Sequence, residues 1–539
     1  MKKLRKLIAA PLAAAMALSL AACGSSSSST TSTTAAETTA AAAGETAAGE
    51  TTAETQAEAA KQYKEDVVIG FVNSLQMTNP QSISNVAHNM LFKMTHDTLI
   101  GYDSTTKEYL PELATEWNWV EDKVIEFKLR DDVVFQNGDP MTSADVVATF
   151  MRVLNDEAIA SKMGALYQNI ESVEAVDDYT VRISLKEVNL DFVAAMSHPT
   201  ASIMSDVALE EDIDNGGSIG SGAWKVVEMV ENDYVKLERN DDYWGELPPT
   251  KTVTIRYIPE NSARLIALQN GEIDVCLEPS ATELGIVEDD DKLDMVQLDS
   301  TTCYYLAFCT AHEPGDDQNL RLAVAHSLNL DDINTVATNG MGTVATSYWG
   351  RDTYGYTDSF GPYEQNLDLA KEYLAKSYPD GGAKLEITVS TNAFQSCAEV
   401  IQEQARAAGI EVTVNKVEPA ALTTMSKFNT AEHQAMVYSL SWNYYGDDAR
   451  RPYYAGSNVN KATVTDERIM ELIDSARGEK DDAARTAMYE EIQQINHDQA
   501  YYIPLFYNKS VIAFDKNLSG VTWEPNGYHD FSQIAVAVD

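Results

Sequence analysis

Apolar and charged residues alternate along residues 125–130, IEFKLR, and this period of two predicts a half-buried strand. Asn137-Gly138 then supplies a turn, and Thr142 or Ser143 can cap the helix that follows. The buried face of that helix carries apolar residues spaced four apart: Val146, Phe150 and Leu154. The pattern therefore predicts a strand, a turn and a capped helix in succession.

Further along the chain, strand and helix patterns continue to alternate. An apolar strand is predicted at 253–257, followed by a helix at 262–270 that ends at Gly271 in a left-handed cap. The same order is indicated at 385–389 and 402–414. Such alternation favours lobes of the α/β class.

The length and the charge of the chain narrow the possibilities. With 539 residues the chain is too long for one ordinary core, so two or three domains are expected. Its formal net charge of -44 makes nucleic acid an improbable partner. The same charge is repelled by anionic lipid head groups, so attachment to a membrane would need a covalent anchor.

The N-terminal segment supplies such an anchor. A basic start is followed by an apolar run over residues 7–20, shorter than the ~20 residues that a spanning helix needs. Leu20-Ala21-Ala22-Cys23 resembles a bacterial lipobox, which implies cleavage before Cys23 and lipid on its sulfur. The protein is therefore expected outside the cytoplasmic membrane, in a periplasm or on the outer face of a single membrane.

The segment that follows Cys23 is rich in Ser, Thr, Ala, Gly and Glu and has no aromatic residue up to residue 62. It cannot bury enough surface to offset chain entropy, so a flexible tether is predicted. Four cysteines come after it. Spacing does not reveal their connectivity, and isolated buried thiols are the expected state.

Residues 113–152, LATEWNWVEDKVIEFKLRDDVVFQNGDPMTSADVVATFMR, resemble as a whole the N-terminal signature of solute-binding protein family 5. Members of this family are the oligopeptide, dipeptide and nickel receptors of ABC importers. NLRLAVAHSLN at 319–329 and AYYIPL at 500–505 are similar to later family segments, so the resemblance covers nearly all of the chain after residue 65. It implies a two-lobed periplasmic-binding-protein type II fold of the α/β class, with a hinge.

The leader, the composition of the tether and the resemblance together give an expected domain plan. The leader spans 1–22 and the lipid-anchored tether 23–62. Lobe I is discontinuous, with a small inserted domain, the insert, between its first two parts; lobe II follows. The expected bounds are 63–98, 214–300 and 506–539 for lobe I, 99–213 for the insert and 301–505 for lobe II.

Aromatic residues are the main candidates for contact with a solute. Trp349 and Trp442 fall in predicted loops or strand ends of lobe II, where rigid rings give contact area without reading particular side chains. Relatives place a tryptophan at the position of Trp442, just before an acid that anchors the ligand. Asn79, before Pro80, matches a family loop and is a further candidate.

The anchoring acid itself is displaced in this chain. Peptide receptors resemble Trp-x-Ala-Asp, in which the aspartate meets the peptide ammonium, whereas Tyr445 occupies that position here. An enclosed ammonium without its carboxylate would forfeit roughly 2 to 5 kcal/mol. Two alternatives follow: Asp447 or Asp448 reaches in from a shifted loop, or the solute is not a peptide with a free amino terminus.

Signatures of catalysis or of a cofactor are not evident in the sequence. It has no zincin pair, no Gly-x-Ser-x-Gly elbow and no histidine pair at helical metal-site spacing. Gly220-Ser221-Gly222 leads into alternating strand residues, whereas a phosphate-binding glycine loop would open a helix. We therefore expect no enzyme activity, no cofactor and no metal site.

The expected function is that of a monomeric, lipid-anchored receptor of an ABC importer. It would capture di- or oligopeptides in the interlobe cleft and deliver them to permease subunits that work with ATPases. One alternative is the same fold with a non-peptide solute, such as a metal chelate or a cationic small molecule. The alternatives of a different class are an extracytoplasmic hydrolase and a surface chaperone or interaction protein.

Overall fold

The computed structural model describes residues 61–538, except for 77, 84, 157, 158, 161–166, 168, 213–215 and 281. Cys23, the predicted leader and nearly all of the predicted tether lie outside the described residues. Gln62, the last residue assigned to the tether, already pairs with Val538 in a short antiparallel strand. The first described strand therefore includes the last residue that was assigned to the tether.

A mixed sheet of eleven strands extends through both lobes. Most strands that are neighbours in the sheet are far apart in sequence, so the sheet joins distant segments of the chain. In spatial order its strands are Ile410–Lys416, Ala383–Val389, Ala435–Ser441, Leu293–Phe308, Tyr502–Asp515, Val275–Leu277, Asp66–Phe71, Thr252–Tyr257, Tyr234–Arg239 and Trp224–Val230, with Thr343–Val344 paired beside Tyr502–Asp515.

Two long antiparallel strands, Leu293–Phe308 and Tyr502–Asp515, run from one half of this sheet into the other. Their pairing register shifts between Asp299 and Cys303. Before the shift the strand pairs within the lobe I half, and after it the strand also pairs with Ala435–Ser441 of lobe II. The predicted start of lobe II at residue 301 falls at this irregularity.

The insert has a sheet of its own, with four antiparallel strands in the order Ala114–Glu121, Val124–Leu129, Thr180–Leu185 and Ile170–Asp177. Thr142 caps the helix Ser143–Asn155 in a capping box with Asp145, as the sequence pattern allowed. Val146 and Phe150 are fully buried, whereas Leu154 is only half-buried and Val153 takes the inward position. The helical face was therefore predicted correctly except at its last turn.

The remaining helices cover the sheets. Each lobe has two buried clusters of apolar residues, and the insert has one. Described helices are Val86–Thr95, Phe192–Ala195, Asp206–Glu211, Asn261–Gln269, Gly285–Glu288, Gln318–Ser327, Leu330–Thr338, Leu367–Ser377, Asn392–Ala408, Pro419–Met425, Arg450–Tyr453, Glu467–Ala476 and Asp482–Gln499, with 3-10 turns at Pro199–Ala201, Gly216–Ser218, Phe428–Thr430 and Gly446–Ala449.

Two short sheets complete the described secondary structure. Ile100–Asp103 pairs with Glu108–Pro111, and Ala535–Val538 lies between Gln62–Tyr63 and Leu518–Ser519. Across the described part of the chain, no helix combines the length and the apolar character needed to cross a membrane.

The cysteines that follow the tether agree with the expectation of isolated thiols. All four are buried and unpaired: Cys276, Cys303, Cys309 and Cys397.

Candidate functional site

A cavity of about 320 Å³ lies where lobe I, the insert and lobe II meet. Its wall combines segments that are hundreds of residues apart in the chain, and the end of the helix Val86–Thr95 forms part of it. The lining residues are Lys93, His96, Asp97, Thr98, Gly101, Tyr102, Tyr109, Glu112, Ala194, Ser197, His198, Pro199, Ser202, Tyr243, Asn443, Tyr444, Tyr445, Glu524, Asn526, Tyr528, Asp530, Ser532 and Gln533.

Tyrosines supply the aromatic surface of the cavity and also close it between the lobes. Tyr102 of the insert stacks on Tyr444 of lobe II, with ring centroids 4.8 Å apart and an interplanar angle of 24°. The Tyr444 hydroxyl donates a hydrogen bond of 3.0 Å to Glu524 of lobe I. Phenol rings combine apolar area with one polar group, so this wall suits solutes with mixed character.

The charged residues of the wall are mostly acidic. Asp97, Glu112, Glu524 and Asp530 line the cavity with a single ammonium group, that of Lys93. Lys93 Nζ lies 3.6 Å from Glu524 Oε1, so its charge is directed to that carboxylate. Three carboxyl groups are left without a protein cation at ion-pair distance among the described residues.

Asp97 is buried just after the end of the helix Val86–Thr95. Its Oδ2 accepts hydrogen bonds from Ser221 Oγ at 2.8 Å and from Trp244 Nε1 at 2.9 Å. The neighbouring Gly222 permits this approach, because a side-chain carbon there would lie 2.5 Å from the backbone of Thr95. Burial raises the pKa of Asp97 above its usual value, against the effect of these donors. The Gly220-Ser221-Gly222 turn is therefore structural and also positions a cavity carboxyl.

Glu112 lies just after the strand Glu108–Pro111, and its Oε2 accepts a hydrogen bond of 2.6 Å from Thr98 Oγ1. Burial, together with the charge of Asp97, raises the pKa of Glu112 to about 8. The carboxyl group is therefore largely protonated at neutral pH, although the charge of Lys93 acts against this rise in pKa.

The two histidines of the wall do not balance these acids. Burial lowers the pKa of His96 to about 4. Burial and the charge of Arg451 lower the pKa of His198 to about 3. Both imidazoles are therefore neutral at physiological pH, and the cavity keeps its acidic character.

The structure places Trp349 and Trp442 behind the cavity wall. Both are fully buried in the core of lobe II, where their rings stack with centroids 5.2 Å apart. Neither is among the lining residues, so the structure does not bring these predicted contact residues to the cavity. Asn79 is also away from the wall; its Oδ1 accepts a hydrogen bond of 2.9 Å from the backbone of Gln81.

The segment after Trp442 brings Tyr445 to the cavity but turns Asp448 away from it. Asp448 is buried, and its Oδ2 lies 3.0 Å from Arg451 Nη1. The same carboxylate accepts hydrogen bonds from the backbone and the side-chain amide of Asn443, at 3.0 and 2.9 Å. Gly446 allows the turn, since a side-chain carbon there would lie 2.5 Å from Tyr489. Asp448 therefore fixes the loop.

Asp447 lies at a different contact between the lobes. Its Oδ1 is 3.0 Å from Arg477 Nε, and its Oδ2 accepts a hydrogen bond of 3.0 Å from Asn189 of the insert. The Asp447 backbone also donates to Asp191 Oδ2 at 2.7 Å. Arg485 Nη2 lies 2.5 Å from the same Asp191 oxygen. We call these five residues, Asn189, Asp191, Asp447, Arg477 and Arg485, the interlobe clasp.

The carboxyl groups of the cavity were missed at the level of sequence. Asp97 and Glu112 flank recognisable strand patterns, but Asp530 lies more than four hundred residues away. Only the folded chain shows that these three side chains face one space. The net negative charge of the chain pointed to an excess of acidic residues, but such an excess usually serves solubility and does not locate a site.

The described residues contain no group of three or more His, Cys, Asp or Glu side chains arranged to hold a metal ion.

The model of a known family, the bacterial extracellular solute-binding proteins, family 5 (middle region), matches residues 108–464. The glutathione-binding protein GsiB of Escherichia coli (strain K12) is 27% identical over 472 residues, covering 84% of this chain and 91% of the relative. Di/tripeptide-binding protein 2 of Pseudomonas aeruginosa (strain UCBPP-PA14) is 25% identical over 477 residues, covering 81% and 88%.

A solved structure shows the same fold. The periplasmic binding protein DppA from Helicobacter pylori, in complex with the peptide STSA, superposes with a TM-score of 0.77 at 24% identity, covering 88% of this chain and 98% of DppA. This similarity confirms the expected two-lobed α/β fold. The matched family consists of binding proteins, in agreement with the expectation that the chain is not an enzyme.

Proposed function

Since this chain belongs to the bacterial extracellular solute-binding proteins of family 5, we propose that it captures a short peptide in its interlobe cavity and delivers it to an ABC permease. Membership of the family establishes a receptor for peptides or related solutes. We propose in addition that the solute is a peptide, that it is short and that it is delivered to a permease.

The observation that carries this proposal is the cavity itself. It is bounded by lobe I, the insert and lobe II, so a bound solute would contact both lobes and favour their closed arrangement. Its volume of about 320 Å³ lies at the lower end of the ~300–1,000 Å³ typical of small-molecule sites. A short peptide fits that range better than a long one.

The named relatives support the same size of solute. One is described as a glutathione-binding protein and the other as a di/tripeptide-binding protein. Tyrosines such as Tyr102, Tyr109 and Tyr528 give a wall that contacts varied side chains without demanding one of them. Short peptides of mixed sequence are therefore the proposed solutes.

A non-peptide solute is the second candidate, and one observation favours it. Asp448, which could have replaced the displaced anchoring acid, is held by Arg451 and Asn443. Asp447 is held by Arg477 and Asn189. The peptide ammonium therefore lacks its expected partner in lobe II, which favours a solute without a free amino terminus, such as a metal chelate.

Attachment to the membrane is part of the proposal. The motif that ends at Cys23 supports a lipid anchor on the outer side of the cytoplasmic membrane, with the segment up to about residue 60 as a tether. The receptor would act as a monomer that presents its closed lobes to permease subunits. Metabolic labelling with a radioactive fatty acid tests the anchor, because Cys23→Ser would abolish incorporation.

A thermal-shift screen tests the solute. The purified protein is melted with di- to hexapeptides, their N-acetylated forms and nickel. A solute at one hundred times its dissociation constant adds ~2.7 kcal/mol of stability, enough for a measurable rise in melting temperature. Stabilisation by di- and tripeptides supports the proposal, whereas stabilisation only by non-peptide solutes contradicts it in favour of the second candidate.

A further inference from the structure

Three carboxyl groups cluster on the lobe I side of the cavity, and none of them has a protein cation at ion-pair distance among the described residues. They belong to Asp97, Glu112 and Asp530. Neutral groups donate to them: Ser221 and Trp244 to the first, Thr98 to the second and the backbone of Ser532 to the third. The phenol of Tyr243 lies in the same wall and donates a hydrogen bond of 3.5 Å to Asp97 Oδ1. Burial, together with the charges of the three acids, raises the pKa of Tyr243.

Such a cluster is unfavourable when it is enclosed and fully ionised. Like charges in a partly dehydrated space repel one another, and burial penalises each charged form. The raised pKa of Glu112 reflects both effects. The cavity therefore has a deficit of positive charge, which a protein cation would ordinarily fill.

No described side chain fills this deficit. Lys93 is the one ammonium group of the described cavity wall, and it pairs with Glu524 at 3.6 Å. His96 and His198 are neutral because burial lowers the pKa of each well below 6. Protonation of Glu112 offsets part of the charge in the solute-free protein, and a cation that balances the ionised cluster would enter with the solute.

We propose that Asp97, Glu112 and Asp530 bind the positively charged group of the solute, an ammonium or a guanidinium, and so restrict the receptor to cationic or zwitterionic solutes. This inference rests on the proposed receptor function and deepens it. It places the cation against lobe I and the insert and not against Asp447 or Asp448. Asp447 and Asp448 remain with their arginines in the bound state.

The first test compares matched solutes. Ala-Ala and glutathione, each beside its N-acetylated form, are titrated calorimetrically into the purified protein, with glutarate as an anionic solute and calcium and magnesium chloride as inorganic cations. Gly-Lys and agmatine keep a cation after acetylation at one nitrogen, so they are titrated in the free form only. At least one free amine should bind, and acetylation of Ala-Ala or glutathione should weaken its binding tenfold or more. Glutarate and the metal ions should not bind.

The second test changes the cluster. Glu112→Gln and Asp530→Asn keep the shape of each side chain and should each weaken the solute tenfold or more. Glu108→Gln is the matched control, because Glu108 is exposed on the adjacent strand and does not line the cavity; it should change the affinity less than twofold. Thermal melting of the solute-free variants verifies that each is folded.

The outcomes separate this inference from the function on which it rests. Binding that survives acetylation, or that is the same in Glu112→Gln and Asp530→Asn as in the wild type, overturns the inference and leaves the receptor role intact. Binding of glutarate or of a metal ion alone also overturns it. If no solute of the panel binds the wild-type protein, the proposed peptide-receptor function falls and this inference falls with it.

A proton measurement gives an independent readout. Calorimetry at pH 7 in two buffers of different ionisation enthalpy should show release of up to one proton per bound agmatine, because the entering cation favours ionised Glu112. The other titratable groups that interact with Glu112 are Asp97, Tyr243 and Lys93, and Asp530 lines the same cavity. Glu112→Gln should reduce the release; an unchanged release would assign it elsewhere and refute the role of Glu112.

Discussion

The interlobe clasp predicts that Asp191→Asn weakens solute binding without unfolding the protein. Asp191 belongs to the insert and Arg485 to lobe II, and their side chains are 9% and 12% exposed. The substitution removes the charge that faces Arg485 but keeps an oxygen that can accept from the backbone of Asp447. The substitution should therefore mainly weaken the contact between the insert and lobe II.

The size of the effect follows from the burial of this pair. Removing one partner of a buried ion pair costs ~3–5 kcal/mol, because the remaining charge is left uncompensated. Both side chains here retain some contact with solvent, so we take the lower end, about 3 kcal/mol. When the lobes separate, Arg485 regains water and the penalty disappears. The closed form thus loses a factor of ~100 relative to the open one.

Two measurements check this prediction. The solute identified by screening should bind up to ~100-fold more weakly to Asp191→Asn, and small-angle scattering should show a larger radius of gyration at subsaturating solute. The melting temperature of the solute-free protein should hardly change. Adding Arg485→Gln to the same variant should recover part of the lost affinity, since the uncompensated charge is then gone.

A matched control is available on the same pair of domains. Lys480 of lobe II and Asp122 of the insert form an ion pair whose side chains are 70% and 75% exposed. Exposed pairs contribute ~0–1 kcal/mol, so Lys480→Gln should change the affinity less than about fivefold. Equal effects of Asp191→Asn and Lys480→Gln would refute the reasoning, as would a large fall in the melting temperature of the solute-free Asp191→Asn variant.

Three other predictions concern stability. The pKa of Glu112 is raised to about 8 in the folded protein from an ordinary 4.5, so between these values the folded protein binds more protons than the unfolded one and its unfolding free energy falls as pH rises. Urea titrations at pH 5 and pH 8 should show a smaller fall for Glu112→Gln than for the wild type. An equal fall in both proteins would contradict the assignment to Glu112. Phe150→Ala should cost ~3–5 kcal/mol and Leu154→Ala clearly less, since only Phe150 is fully buried; similar urea midpoints would contradict the observed helical face. In a Cys23→Ser background, the four buried thiols should react with a thiol reagent only after denaturation, and rapid labelling of the native protein would disprove their burial.

Local patterns predicted the elements, because each depends on neighbouring residues. The alternation at 125–130 became the strand Val124–Leu129, and Thr142 caps the following helix through its own hydroxyl. Leu154 was misplaced because periodicity gives a face only to within one position, and the neighbouring Val153 fits the core better. Resemblance to a family extended these local predictions to the whole fold.

The cavity could not be predicted in the same way, because it depends on contacts between distant segments. Trp442 was expected at the ligand by analogy, yet its stacking on Trp349 places both rings in the core. The sequence shows two aspartates near Tyr445 but not which arginine each one meets. Asp448 pairs with Arg451 three residues on, whereas Asp447 pairs with Arg477 across a longer separation. These choices are made by tertiary packing.

The cavity carboxyl groups and the clasp have opposite effects on the stability of the closed arrangement of the lobes. A solute that changes one of these effects shifts the balance between the open and closed forms. Bringing the lobes together encloses the carboxyl groups around Glu112, which is unfavourable while the cavity lacks a cation. The clasp pairs, including Asp191 with Arg485, favour the same closed arrangement. A ligand shifts such an equilibrium only by its difference in affinity for the two forms. A cation that balances the carboxyl groups supplies that difference where the protein lacks it, so the closed form would be reached chiefly with the solute inside.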